Sequence, residues 1–138
     1  MRKAFTVVEL IVVLTVILVL VGIAVPRMKG YQDEANKAKA NAELNVLKAA
    51  VESYSVNNSA LPADIHATLT GATPRLLTAA LSDPFRSGEH YGFYTNGNYY
   101  VIASAGAGGV LGINGINASG EVQGKEADDL CVTNGSGC

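Results

Sequence analysis

The chain changes its hydrophobic pattern twice. From Phe5 to Val25 nearly every position is apolar, with Val, Ile and Leu dominating and Glu9 as the single charge. From Arg27 to about Val56 the pattern becomes mixed, rich in Ala, Lys, Glu, Leu and Gln. Apolar residues there recur at three-to-four spacing, first Met28, Tyr31, Ala35, Ala38 and Ala42, then Leu44, Leu47, Val51 and Tyr54. That spacing predicts an amphipathic helix. Past Asn57-Asn58-Ser59-Ala60-Leu61-Pro62, which reads as a helix stop, the pattern turns to short alternating runs between Gly, Asn and Pro.

The first run is about 21 residues, roughly 31 Å of helix, enough to match a bilayer core of about 30 Å. Arg2 and Lys3 before it predict a cytoplasmic amino end. A secretory signal peptide would be shorter and end in a small-x-small site, which Ile23-Ala24-Val25-Pro26 does not supply. A plain anchor gains nothing from Glu9, because a lone carboxylate in hydrocarbon is expensive and marks a functional position by default. Pro26, with Gly22 nearby, is expected to bend or loosen the helix.

The carboxy-terminal part predicts a small sheet. Residues 63–82 read as a loop region, with a short helix over 74–81 begun by Thr73-Pro74. Tyr91-Gly92-Phe93-Tyr94 reads as a strand, Asn96-Gly97 as a hairpin turn and Tyr99 to Ser104 as the return strand. A last strand is expected between Ile116 and Val122. Three or four antiparallel strands would then cover Leu44, Leu47, Val51 and Tyr54, an α+β layout with a long amino-terminal helix on a small sheet.

Charge and motifs exclude more than they add. The formal charge is −2, which gives no reason to expect a nucleic-acid surface. The cluster Arg27, Lys29, Lys37, Lys39 and Lys48 reads as a solvated or bilayer-facing helix surface. No nucleophile elbow, phosphate loop or paired-carboxylate motif is present, so no enzyme is expected. His66 and His90 fall in predicted loops and read as solvent-exposed. Sequons at Asn57, Asn117 and Asn134 carry little weight alone.

The start of the chain resembles the prepilin signature of type IV pilins and type II secretion pseudopilins. The carrying residues are the basic leader Met1-Arg2-Lys3-Ala4, then Phe5 with Glu9 four residues later, then the apolar helix with Pro26. The family usually has Gly where this chain has Ala4. The resemblance implies cutting between Ala4 and Phe5 by a prepilin peptidase, with methylation of the new amine. It implies a leader 1–4, a filament-core helix 5–26 and a globular domain 27–138. Losing Arg2 and Lys3 takes the side-chain charge from −2 to −4. It also gives Glu9 a partner, the Phe5 amine of a neighbouring subunit; a buried ion pair of this kind fixes register between identical helices.

The implied function is polymerisation into a filament. A type IV pilus serving adhesion, motility or DNA uptake is the leading expectation, and the major pseudopilin of a type II secretion system is the alternative. A membrane-anchored binding protein is the alternative from another class. The implied partners are copies of the chain itself, the peptidase, the assembly machinery and, before assembly, the inner membrane. The destination is the cell surface for a pilus or the periplasm for a pseudopilus.

Two features of the domain divide the family. Asp83-Pro84-Phe85, the aromatic hairpin and Ser104-Ala105-Gly106-Ala107-Gly108-Gly109 resemble the major pseudopilin. That branch places a calcium-binding loop after this strand, built from carbonyls and Asp carboxylates. Here Gly106 to Gly109 lack the acid, which leaves Asp128 and Asp129 as candidate oxygen ligands, few for an ion wanting six to eight. No other cofactor is implied. Cys131 and Cys138 are the only cysteines, and a disulfide loop near the carboxy terminus is a pilin habit rather than a major-pseudopilin one. Two cysteines and two separated histidines make no closed zinc set.

Overall fold

The structure is a computed structural model that describes residues 5–138, with backbone alone at 25–27. It divides into two compact units, one ending at Ala35 and one spanning Asn36–Cys138. Helix α1, Val7–Asn58, contributes to both and runs without a break through Pro26. Ser59, at φ 55, takes the left-handed conformation that ends it and donates its amide to Ser55 O at 2.8 Å.

In the first unit α1 is bare. Every described side chain from Phe5 to Ala24 is exposed, so its apolar surface faces outward all round. An all-apolar helix of this kind is stable only in lipid or among other helices.

In the second unit α1 is one-sided. Ala40, Leu44, Leu47, Ala50 and Val51 are buried, and Tyr54 packs partly against them. The earlier part of the expected stripe is not used: Met28, Tyr31, Ala35, Ala38 and Ala42 are all exposed. Three-to-four spacing marks a face that can be buried; within the second unit its buried part begins at Ala40.

The sheet has order β1-β2-β5, with β1 Gly92–Asn96, β2 Tyr99–Ser104 and β5 Leu130–Thr133, all antiparallel. Alternation along β2 builds two cores. Tyr100 and Ile102 face α1, whereas Val101 and Ala103 face a second cluster with Ile113, Ile116 and Val122. That second cluster is covered by a small hairpin, β3 Gly115–Ile116 with β4 Val122–Gln123. The expected single strand over 116–122 is therefore this hairpin, turned through Asn117, whose side-chain oxygen accepts the Ser119 and Glu121 amides.

The β1–β2 turn sits one residue later than Asn96-Gly97. Asn96 pairs with Tyr99, so Gly97 and Asn98 form the loop, with Gly97 at φ 60 in the first central position of a type II′ pattern. The short helix is also displaced. Helix α2 is Ile65–Gly71, capped by Asp64, whose Oδ1 accepts from His66 N at 2.6 Å and Ala67 N at 3.3 Å. The expected helix over 74–81 does not form. The Leu76 and Leu77 amides close onto Leu69 O at the end of α2 instead.

Candidate functional site

The first candidate is the stem of α1, long and apolar enough to cross a membrane. Its start is a reciprocal cap. Glu9 N donates to Thr6 Oγ1 at 3.3 Å, while Thr6 N and Thr6 Oγ1 donate to Glu9 Oε2 at 3.0 and 2.9 Å. This is a capping box, and it sets an anion over the positive end of the helix. Thr6 is a site residue that the hydrophobic pattern alone does not single out. Thr followed three residues later by Glu, ahead of an apolar run, was the available signal. Thr15 returns its hydroxyl to Ile11 O at 2.8 Å and so exposes no unpaired donor. Phe5 and Glu9 thus stand at one end of an apolar rod; Ala4 lies outside the described residues.

The second candidate is the corner where β2 leaves the sheet. Asp83, 3% exposed, accepts Ser104 Oγ at 2.8 Å and Phe85 N at 3.0 Å on one oxygen, and Ala105 N at 2.9 Å on the other. The following 3-10 turn, Gly106–Gly108, lies directly on Asp128. A Cβ at Gly106 would overlap the Asp128 carbonyl, and φ there is +58, so glycine is required twice over. Gly108 N donates to Asp128 Oδ2 at 2.5 Å. Asp129, 4% exposed, gathers Gly112 N, Ile113 N and Glu126 N on Oδ2 at 3.2, 3.2 and 3.0 Å. The two acids expected as ligands are thus brought to this corner with their carboxylates on backbone amides. Among the described residues no group of three or more His, Cys, Asp or Glu side chains is placed to share a metal ion.

Cys131 and Cys138 are bonded to each other, with Cα atoms 5.5 Å apart. The tail between them is tied to the small hairpin, as Val122 N donates to Ser136 O and Ser136 N to Gly120 O. The sequon residue Asn134 spends its amide inside the domain, accepting Tyr100 N at 2.8 Å and donating to Asn98 O at 2.7 Å.

His90 is exposed as expected, whereas His66 is half-buried and the two do not lie apart. His66 sits in α2 and stacks on His90 with ring centroids 4.3 Å apart. Its Nε2 faces Tyr91 O at 3.3 Å, which makes that nitrogen the donor, and its buried Nδ1 has no partner among the described residues. Burial holds the His66 pKa below its ordinary value, assisted by His90 and opposed by Tyr91 O and Asp64.

Comparison with known proteins agrees with this layout. The type II secretion system core protein G of Escherichia coli (strain K12) is 27% identical, over 92% of this chain and 88% of its own. Its Klebsiella pneumoniae namesake is 25% identical, over 86% of each. That of Dickeya chrysanthemi is 31% identical over 61 residues, 44% of this chain and 40% of its own. No protein-family model and no solved structure matches the chain. The relatives and the fold together support the pilin and pseudopilin family.

Proposed function

We propose that this chain is a subunit of a type II secretion pseudopilus, anchored in the inner membrane before assembly and periplasmic afterwards. The observation that carries the reading is the likeness to two type II secretion core G proteins along most of the chain, stem and domain alike. It favours the pseudopilin alternative over the pilus, which the sequence alone had placed first. The role is structural: the exposed apolar stem supplies a surface that neighbouring stems bury, and the domains coat the result.

The remaining steps follow from residues at the stem's end. Cleavage after Ala4 frees the amine of Phe5, and Glu9 of an adjacent subunit meets it. Two charges costly alone in a low-dielectric core become tolerable as a pair, and the pair sets the axial register. The prepilin peptidase, the secretion machinery and further copies of the chain are the partners this sequence of events requires. The one feature favouring the pilus reading is the Cys131–Cys138 loop.

Deleting the gene in its host separates the two readings. A pseudopilus subunit predicts that protein export to the medium stops while surface pili persist. Lost pili with normal export would contradict the proposal and favour the pilus.

A further inference from the structure

We infer that this chain closes the corner after β2 without a metal, using Asp128 and Asp129 as fixed anions for backbone amides. The related branch fills this corner with calcium, and the residues here do not fit that ion.

Calcium takes six to eight oxygens at roughly 2.3–2.6 Å, each with a lone pair turned toward it. Here three of the four carboxylate oxygens turn lone pairs toward N–H groups. Asp129 holds the amides of Gly112, Ile113 and Glu126, and Asp128 holds that of Gly108. A cation entering among them would face the positive ends of four N–H dipoles and would have to strip Asp129, which is almost fully buried. Putting a buried amide out of its hydrogen bond carries its own desolvation cost.

Space argues the same way. Where the related loop carries an acid, this chain has Gly106 to Gly109, and the turn descends until its backbone touches Asp128. A Cβ at Gly106 would strike the Asp128 carbonyl, and one at Gly108 the Asp128 carboxylate. An ion between loop and acid would hold them apart; instead glycine lets them meet. Asp83 secures the near side by taking Ala105 N and Ser104 Oγ. The carboxylates therefore do by direct hydrogen bonds what a bound cation would do by bridging. The inference stands on these contacts and does not depend on the secretion reading.

The test uses the full-length protein in detergent, with calcium as the only added ligand. Thermal unfolding is followed by circular dichroism in EGTA and in millimolar calcium. A ligand binding only the folded state must raise the melting temperature as its concentration grows. The expected result is melting temperatures equal to within about 1 °C, a difference too small for a site that the fold needs. Asp129→Asn should then melt lower by the same amount in both conditions. A saturable rise of several degrees with calcium in the wild type would overturn the inference. So would an Asp129→Asn protein that melts like the wild type in EGTA. Should that variant fail to fold, the wild-type calcium titration decides alone.

Discussion

Tyr91 donates its hydroxyl to Glu43 Oε2 at 2.6 Å, joining the residue before β1 to the second half of α1. Tyr100 repeats the device nine positions on, reaching Glu52 Oε1 at 3.1 Å. Both rings are buried in the helix-facing core while both hydroxyls reach its polar margin. The helix is thus registered on the sheet by two directional contacts as well as by apolar packing, which is non-directional.

Tyr91→Phe should therefore cost about 1.5–3 kcal/mol, the range for a hydrogen bond to a charged group. Urea unfolding of the purified protein measures it. An unchanged midpoint would show that packing alone sets the register.

The same pair predicts alkaline sensitivity. Burial first, and the neighbouring glutamates second, push both tyrosines well above their ordinary pKa of about 10. The unfolded chain therefore releases these protons at lower pH than the folded one, and stability falls as pH rises past about 10. Melting temperature against pH should turn down there, and less steeply in Tyr91→Phe. Parallel profiles for the two proteins would contradict the assignment.

His66 predicts the acid side. Its folded pKa lies below that of the unfolded chain, so as pH falls below about 6.5 the unfolded state takes up the proton first. The neutral ring's contribution is present above that pH and is lost on acidification. Between pH 7.5 and 5 the wild type should lose more melting temperature than His66→Phe, with Asp64 and His90 left in place. Equal losses would remove His66 from the account.

Much of this layout was legible from spacing. The 3.6-residue recurrence of Leu44, Leu47 and Val51 and the aromatic hairpin are local patterns, and both form, the hairpin with its turn one residue later than read. What escaped depended on distant contacts. Leu130-Cys131-Val132-Thr133 is too short to announce a strand and becomes one by pairing with β2. Met28, Tyr31, Ala35, Ala38 and Ala42 kept the spacing yet are exposed. Thr73-Pro74 looked able to start a helix, but the amides of Leu76 and Leu77 are committed to Leu69 O, and the helix that forms starts at Asp64 instead. The stacking of His66 on His90 joins two segments that sequence spacing keeps apart.

The Cys131–Cys138 bond should add about 2–3 kcal/mol by shortening the freedom of a small loop in the unfolded chain. Cys131→Ser with Cys138→Ser should stay folded, because Asn134 and Ser136 still tie the tail down. Denaturant unfolding of the double variant checks both parts. A variant unfolded at room temperature would show that the bond decides whether the domain folds.

In the proposed assembly the bare stem of α1 is buried by other stems, with Glu9 setting their register. Electron microscopy of filaments from cells overproducing the chain, wild type beside Glu9→Gln, tests it most directly. Glutamine keeps the size and hydrogen-bonding reach of the side chain and removes only its charge. Filaments are expected from the wild type, and few or none from Glu9→Gln despite equal amounts of folded, membrane-inserted protein. Filaments of normal number and length from Glu9→Gln would contradict it.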